Sequence, residues 1–329
     1  MQISIIIPLH NKGKYIAQTL ASIQEQTYEN WEAIVVENYS TDNGPDVVRK
    51  IAAKEARILL IEAPKEVRGP GAARNIGLDF AQGGWVLFLD ADDLLEREYL
   101  ENMLNVADNN PDASIIAAPW KQFIQKDGQN ERGCQLKEPA GYQQNGNGLE
   151  GSAIGFTCWA VHAAIIRRNW LHGERIWPVE LDKYLAEDTA FWFRVVWAAK
   201  VAYCSFPGAL YRAQTIGCRT NYNPDAWFEG CHQAIKSNLA FIASGGIEPS
   251  LQQKITLIRA YSNLYIQSKT ERNKKVADKS LKHAKHWLMS ACNEGKEIDF
   301  HMRLRKLFGI AMYENLKFLL QKLNKWQRN

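Results

Sequence analysis

The sequence predicts an α/β fold: a parallel sheet with helices on both faces, followed by a run of helices. Three observations lead there. Short β-branched stretches alternate with helical periodicity in units of roughly 25–30 residues over the first hundred positions. Each of the best-defined strands ends in a polar cluster. From Pro224 onward the pattern is helical throughout.

Residues 3–9, ISIIIPL, read as a buried strand closed by Pro8, and Tyr15–Gln24 carry helical spacing. WEAIVVE (31–37) is a second strand, ended by the turn cluster NYSTDNGP. A helix follows over Asp46–Glu55, then strand 58–61. The loop RGPG (68–71) opens a helix through Ala81, and strand 85–89 runs into the acidic segment DADD (90–93). In a parallel sheet, ligands bind beyond the carboxyl ends of the strands. Pro8–Asn11, Glu37–Asp42 and Asp90–Asp93 should therefore meet on one rim.

Beyond Asp93 a helix is expected over 98–108, and strands over 113–118, 156–168 and 200–206. Residues 138–151 lack periodicity and read as a mobile connection or lid. Helices are expected over 225–244, 249–268, 274–292 and 300–325.

The chain has 329 residues, 46% hydrophobic and 23% charged, enough for a large domain with an appendage. Its six cysteines include no C-x-x-C pair and no zinc-type spacing, which suits a reducing compartment and a cytoplasmic location. The first residues have no basic segment and too short an apolar run for a signal peptide. No stretch approaches the about 18 apolar residues of a membrane span.

The net charge is +4, but residues 269–329 hold 15 Lys/Arg against 6 Asp/Glu, or +9. That leaves 25 basic and 30 acidic side chains, or −5, on the first 268 residues. In 300–323 apolar residues from Phe300 to Leu323 recur at helical spacing. The reading is that this stripe packs on the body while the basic side meets an anionic membrane surface or a lipid-linked ligand. A solvated helix face is the simpler alternative, and nucleic acid is not the expected partner.

Asp90, Asp92 and Asp93 repel one another unless a cation holds them. Oxygen ligands without His or Cys favour Mn²⁺ or Mg²⁺, which takes one or two carboxylates and leaves its other positions to water and phosphates. Helix capping by Asp92 and Asp93 is the structural alternative.

The motifs in order are IIIPLHN (5–11), QEQTY (24–28), VVENYSTD (35–42), ARNIGL (73–78), FLDADD (88–93), AEDTAFWFR (186–194) and ALYR (209–212). Over residues 3–212 the sequence resembles the GT-A glycosyltransferases of family 2. The resemblance implies a Rossmann-like central sheet with a C-terminal helical extension. It also implies a GT-A domain over 1–223, split into a nucleotide-sugar half (1–112) and an acceptor half (113–223), followed by a basic helical region over 224–329.

It further implies an inverting transfer from a nucleotide-sugar, a UDP-sugar for preference, to a hydroxyl of a glycan or lipid-linked acceptor. The product would be a β-linkage in bacterial cell-surface polysaccharide such as lipopolysaccharide or capsule, made at the inner face of the membrane.

Residue by residue, Pro8 and His10 would flank the base, with His10 where the family has Tyr. Glu37 and Asn38 stand for its paired aspartates, and Asn38 offers uracil an acceptor oxygen. Tyr39 replaces a glycine, and Asp42 suits a turn or cap. Arg74 would reach ribose or diphosphate. Asp90 would touch ribose or metal, Asp92 would bind the metal, and Asp93 would be structural. Asp188 would be the general base with Glu187 beside it, and Trp177 is a candidate sugar-stacking residue. His162 reads as a core histidine, and Phe191–Phe193 as core.

The departure at Glu37-Asn38-Tyr39 keeps a non-catalytic nucleotide-sugar-binding relative open, and carboxylates with Mg²⁺ keep a sugar nucleotidyltransferase open. GPGAARNIG (69–77) matches a dinucleotide-binding loop poorly, because it follows the third strand.

Overall fold

The computed structural model describes residues 1–126, 129–140, 149–213, 215, 223–293 and 299–326. They fall into two compact units. The first comprises Met1–Leu149, Thr157–Lys183 and Phe191–Thr220. The second comprises Glu150–Phe156, Tyr184–Ala190 and Asn221–Asn329.

The first unit is built on a seven-stranded sheet. Its strands in chain order are β1 (Ile3–Leu9), β2 (Trp31–Glu37), β3 (Ile58–Glu62), β4 (Trp85–Phe88), β6 (Ile115–Ala117), β9 (Ala164–Arg167) and β10 (Val201–Tyr203). They lie in the order β10-β6-β9-β4-β1-β2-β3. β1 pairs in parallel with both β2 and β4. Ile3, Ile5, Ile6 and Ile7 have no exposed surface, as a central strand covered on both faces requires. Helix α3 (Pro70–Phe80) approaches β1 closely: a Cβ on Gly77 would lie 2.4 Å from Ile6 Cγ2.

The first four strands pair in parallel, as expected, whereas β9 runs antiparallel to β4 and β6. The expected strand over 156–168 is also shorter, with a 3₁₀ turn at Val161–Ala163 ahead of Ala164–Arg167.

A second sheet has the order β5-β11-β7-β8. It is made of β5 (Leu94–Leu95), β7 (Trp120–Lys126), β8 (Gln129–Lys137) and β11 (Ala209–Ala213). The periodicity did not foresee β5, β7, β8 or β11. Residues 141–148, most of the expected lid, lie outside the described residues.

The second unit is helical. α7 (Pro224–Ser244), α8 (Leu251–Thr270) and α9 (Lys274–Cys292) begin at the side-chain caps Asn223, Ser250 and Asn273. The single helix expected over 300–325 is two, α10 (Phe300–Phe308) and α11 (Ile310–Trp326). They part at Gly309, whose φ of 78° is left-handed backbone that favours glycine. A buried Arg305–Glu314 ion pair joins them, Nε to Oε1 at 2.8 Å.

Among the described residues, the expected apolar stripe is not the buried one. Met302, Ile310 and Tyr313 are buried, whereas Leu307, Phe308, Met312 and Leu316 are each at least half exposed. Among the described residues no helix is long and apolar enough to cross a membrane.

Candidate active site

Because β4, β1 and β2 are neighbours, the loops leaving their carboxyl ends are neighbours too. Pro8 is the last residue but one of β1, opposite Val36. His10 Nδ1–H donates to the Asn38 carbonyl at 2.7 Å, and Asn11 Nδ2 donates to His10 Nε2 at 3.2 Å. Both bonds fit one neutral tautomer. Asn11 has φ 52° and receives the Thr41 N–H on Oδ1 at 2.7 Å. Asp42 accepts from the Gly13 and Gly44 amides, at 2.8 and 2.9 Å, and so acts as a turn residue. Asn38 Nδ2 donates to the Gly69 carbonyl at 2.9 Å. The Ser40 amide donates to Glu37 Oε1, while Glu37 Oε2 is buried without a hydrogen-bond partner among the described residues.

Arg74 projects from the first turns of α3 and is buried. Its Nη2 donates to Asp90 Oδ1 at 2.6 Å, and its guanidinium lies 4.1 Å from the centre of the Trp177 ring. Nε and Nη1 have no partner among the described residues. Buried donors of this kind are costly unless a ligand uses them.

The segment carrying Trp177 is tied to α3 at two points. Asn75 and the Trp177 backbone exchange hydrogen bonds at 2.9 and 3.0 Å. Asp182 accepts the Gly71 and Ala72 amides, both at 2.8 Å. Trp177 is therefore not placed to stack on a sugar. It is 1% exposed and stacks on Phe191 at 3.9 Å.

The three aspartates diverge. Asp90 faces Arg74. Asp92 Oδ2 accepts from Lys12 Nζ at 2.6 Å, and Lys12 Nζ also donates to Thr215 Oγ1 at 3.2 Å. Asp93 is buried and accepts the Arg212 amide on Oδ1 at 2.7 Å. The Arg212 side chain donates to the Asp92 carbonyl at 2.6 Å and to Gln18 Oε1 at 2.9 Å. Burial, then the charges of Asp92 and Asp90, push the Asp93 carboxyl well above the usual range. His162 Nδ1 lies 3.2 Å from Asp93 Oδ2 without hydrogen-bonding geometry, and burial pulls this histidine down to about 4.

The residues fit a hard divalent cation. Asp92 already faces a positive group, and the carboxylates of Asp90 and Asp92 offer the oxygen ligands that such a cation takes. No group of three or more His, Cys, Asp or Glu among the described residues makes a closed metal cage. An open site that leaves positions to phosphate oxygens matches that donor set.

Glu187 and Asp188 begin helix α6 (Glu187–Val196) and belong to the second unit. Ala186, just before them, has φ 65°, an uncommon conformation for a residue with a Cβ. Glu187 is buried. In the same unit a Cβ on Gly230 of α7 would lie 2.1 Å from the Leu185 carbonyl oxygen, so α7 presses on the backbone that leads into Glu187. Burial and the Asp188 charge push the Cys231 thiol up to about 12.

Sequence reasoning missed Lys12 and gave no role to Arg212 or Thr215. The available signal was the cluster itself, because three carboxylates need positive partners.

The chain matches the model of "Glycosyl transferase family 2" over residues 4–172. It is 42% identical over 103 residues to an uncharacterized glycosyltransferase of Haemophilus influenzae, covering 31% of this chain and 41% of that one. It is 36% identical over 112 residues to a poly(ribitol-phosphate) beta-glucosyltransferase of Bacillus spizizenii, covering 33% of this chain and 18% of that one. The chain thus spans less than half the length of either relative.

Among solved structures it is similar to Staphylococcus aureus TarS 1–349 in complex with UDP-GlcNAc. That match has a TM-score of 0.70 and 18% identity over 98% of this chain and 92% of that one. It is also similar to the mannosyltransferase PcManGT of Pyrobaculum calidifontis in complex with GDP-Man and Mn²⁺. Here the TM-score is 0.55 and the identity 21%, over 94% of this chain and 79% of that one.

Proposed function

The chain belongs to glycosyl transferase family 2 and has its GT-A fold, and from that premise we propose that it is an inverting transferase. It moves a sugar from a nucleotide diphosphate, a UDP-sugar, to a hydroxyl of a cell-surface glycan or its lipid-linked precursor. The observation that carries this reading is the rim where Arg74, with two unpartnered buried donors, faces Asp90 beside Asp92 and the His10–Asn38 pair.

Asn38 donates one amide hydrogen to the Gly69 carbonyl and offers a base its acceptor oxygen, which suits the uracil N3–H. Pro8 and His10 flank the base. Arg74 holds the ribose or diphosphate through the donors it has spare. Asp92, with Asp90 beside it, holds Mn²⁺ or Mg²⁺, which when bound supplies charge stabilisation to the leaving diphosphate. Asp188 takes the proton of the acceptor hydroxyl, and Glu187 shapes its surroundings. A single in-line displacement inverts the anomeric centre, so an α-linked donor gives a β-linked product. The beta-glucosyltransferase relative and the neighbours bound to UDP-GlcNAc and to GDP-Man with Mn²⁺ support this reading without fixing the sugar. The work is placed on the cytoplasmic side, at an anionic membrane surface.

The test is hydrolysis of a panel of nucleotide-sugars with Mn²⁺, paired with calorimetry of donor binding, for wild type and Asp92→Ala. Release of nucleoside diphosphate from one donor, or metal-dependent binding of it, should be lost in the variant. Released pyrophosphate would instead identify a nucleotidyltransferase. Absence of any metal-dependent nucleotide binding would overturn the donor site.

A further inference from the structure

Lys12 stands where the donor-site reading places a divalent cation. Its ammonium lies 2.6 Å from Asp92 Oδ2, and a second bond to Thr215 Oγ1 at 3.2 Å holds it there. Both partners of the ion pair are largely shielded, with 16% and 14% of their side chains exposed. The contact joins residues 80 positions apart, so it is a product of the fold and not of neighbouring sequence.

Resting on the donor-site reading, we propose that Lys12 is a built-in counter-ion that makes binding of the divalent cation and the nucleoside diphosphate cooperative. A cation arriving alone must take Asp92 from the ammonium and leave two positive groups at one carboxylate, which is repulsive at short range in a shielded site. A cation arriving with a diphosphate meets no such conflict. The phosphate oxygens complete its coordination, and their remaining charge takes up the displaced ammonium. The free enzyme therefore holds the metal weakly, and the donor recruits it. By thermodynamic reciprocity the metal raises nucleotide affinity by the same factor. Until the donor arrives, Lys12 relieves the repulsion among Asp90, Asp92 and Asp93.

The experiment is calorimetric titration of Mn²⁺ into the full chain, with and without saturating UDP, for wild type, Lys12→Met and Lys12→Gln. Thermal melts establish that each variant is folded. Wild type should bind Mn²⁺ at least about tenfold more tightly with UDP than without, inside the usual range of coupling between ligands. In Lys12→Met, Mn²⁺ alone should bind about tenfold more tightly than in wild type, and the gain from UDP should shrink by a similar factor. Lys12→Gln, which keeps a polar group, carries the same expectation if the Met variant does not fold. Lys12→Arg should retain the coupling.

If Mn²⁺ affinity without UDP is unchanged or weaker in the neutral variants, the proposal is overturned while the donor site stands. If wild type binds neither UDP nor Mn²⁺, the donor-site reading falls, and this proposal falls with it.

Discussion

At the scale of single residues, Trp177 and Arg74 act as one device. The indole is stacked on Phe191, with the Arg74 guanidinium 4.1 Å from its ring centre. The indole and the Asp90 carboxylate, which accepts from Nη2 at 2.6 Å, together fix the buried guanidinium. Removing a fully buried tryptophan leaves a large cavity, so Trp177→Ala should lower stability by about 3–5 kcal/mol, read from denaturant unfolding. Nucleotide affinity should fall with it, because Arg74 loses its stacking partner. Trp177→Phe should retain most of both. A Trp177→Ala protein of native stability would show that the packing seen around this ring contributes little.

At the scale of elements, helices α7, α8 and α9 of the second unit enclose a half-buried aromatic group. His232 and His283 have ring centroids 4.5 Å apart, and His232 Nδ1 lies 2.7 Å from the Tyr261 hydroxyl. Burial lowers both histidines. Lys236 and Lys279 add to this for His232, against Glu229, while His232, Lys282, His286 and Lys279 add to it for His283. A base whose folded value lies below its unfolded 6.5 binds protons more readily when unfolded. Its contribution is therefore present above pH 6.5 and is lost as pH falls below it. Melting temperature should drop between pH 7.5 and 5.5, and His283→Phe should flatten that slope. A pH-independent melt of the wild type would remove the pair from the stability of these helices.

At the scale of the whole molecule, α10 and α11 carry the basic residues Arg303, Arg305, Lys306, Lys317, Lys322 and Lys325 together with the exposed side chains Leu307, Phe308, Met312 and Leu316. Apolar side chains set among exposed Arg303, Lys306 and Lys317 match an anionic bilayer surface in both chemistry and charge. The protein should float with vesicles containing phosphatidylglycerol and not with phosphatidylcholine alone. Phe308→Glu with Met312→Glu should abolish flotation without changing UDP affinity. Equal binding to both vesicle types, or none to either, would count against the charge-based attachment.

The order of β1 to β4 and of the helices between them is legible in the sequence alone. β1, β2 and β4 are buried on both faces, so their apolar runs are nearly unbroken, and the polar clusters at their ends are conspicuous. Asp90, Asp92, Arg74 and the Glu187–Asp188 pair stand out in the sequence as candidate site residues.

Which partners those residues meet depends on tertiary packing. The second sheet was not legible because WKQFIQK and QNERGCQLK mix polar and charged residues with few apolar ones. The antiparallel direction of β9 depends on pairing with β4 and β6, which no local pattern encodes. Trp177 is a loop residue, as expected, but Asn75 and Asp182 draw its segment onto α3, across separations of 102 and 111 positions, and bury it. Lys12 gave no signal of its own: its partners lie 80 and 203 residues away. Periodicity reports which side of an element is buried. It does not report which distant charge a buried rim brings within hydrogen-bonding distance.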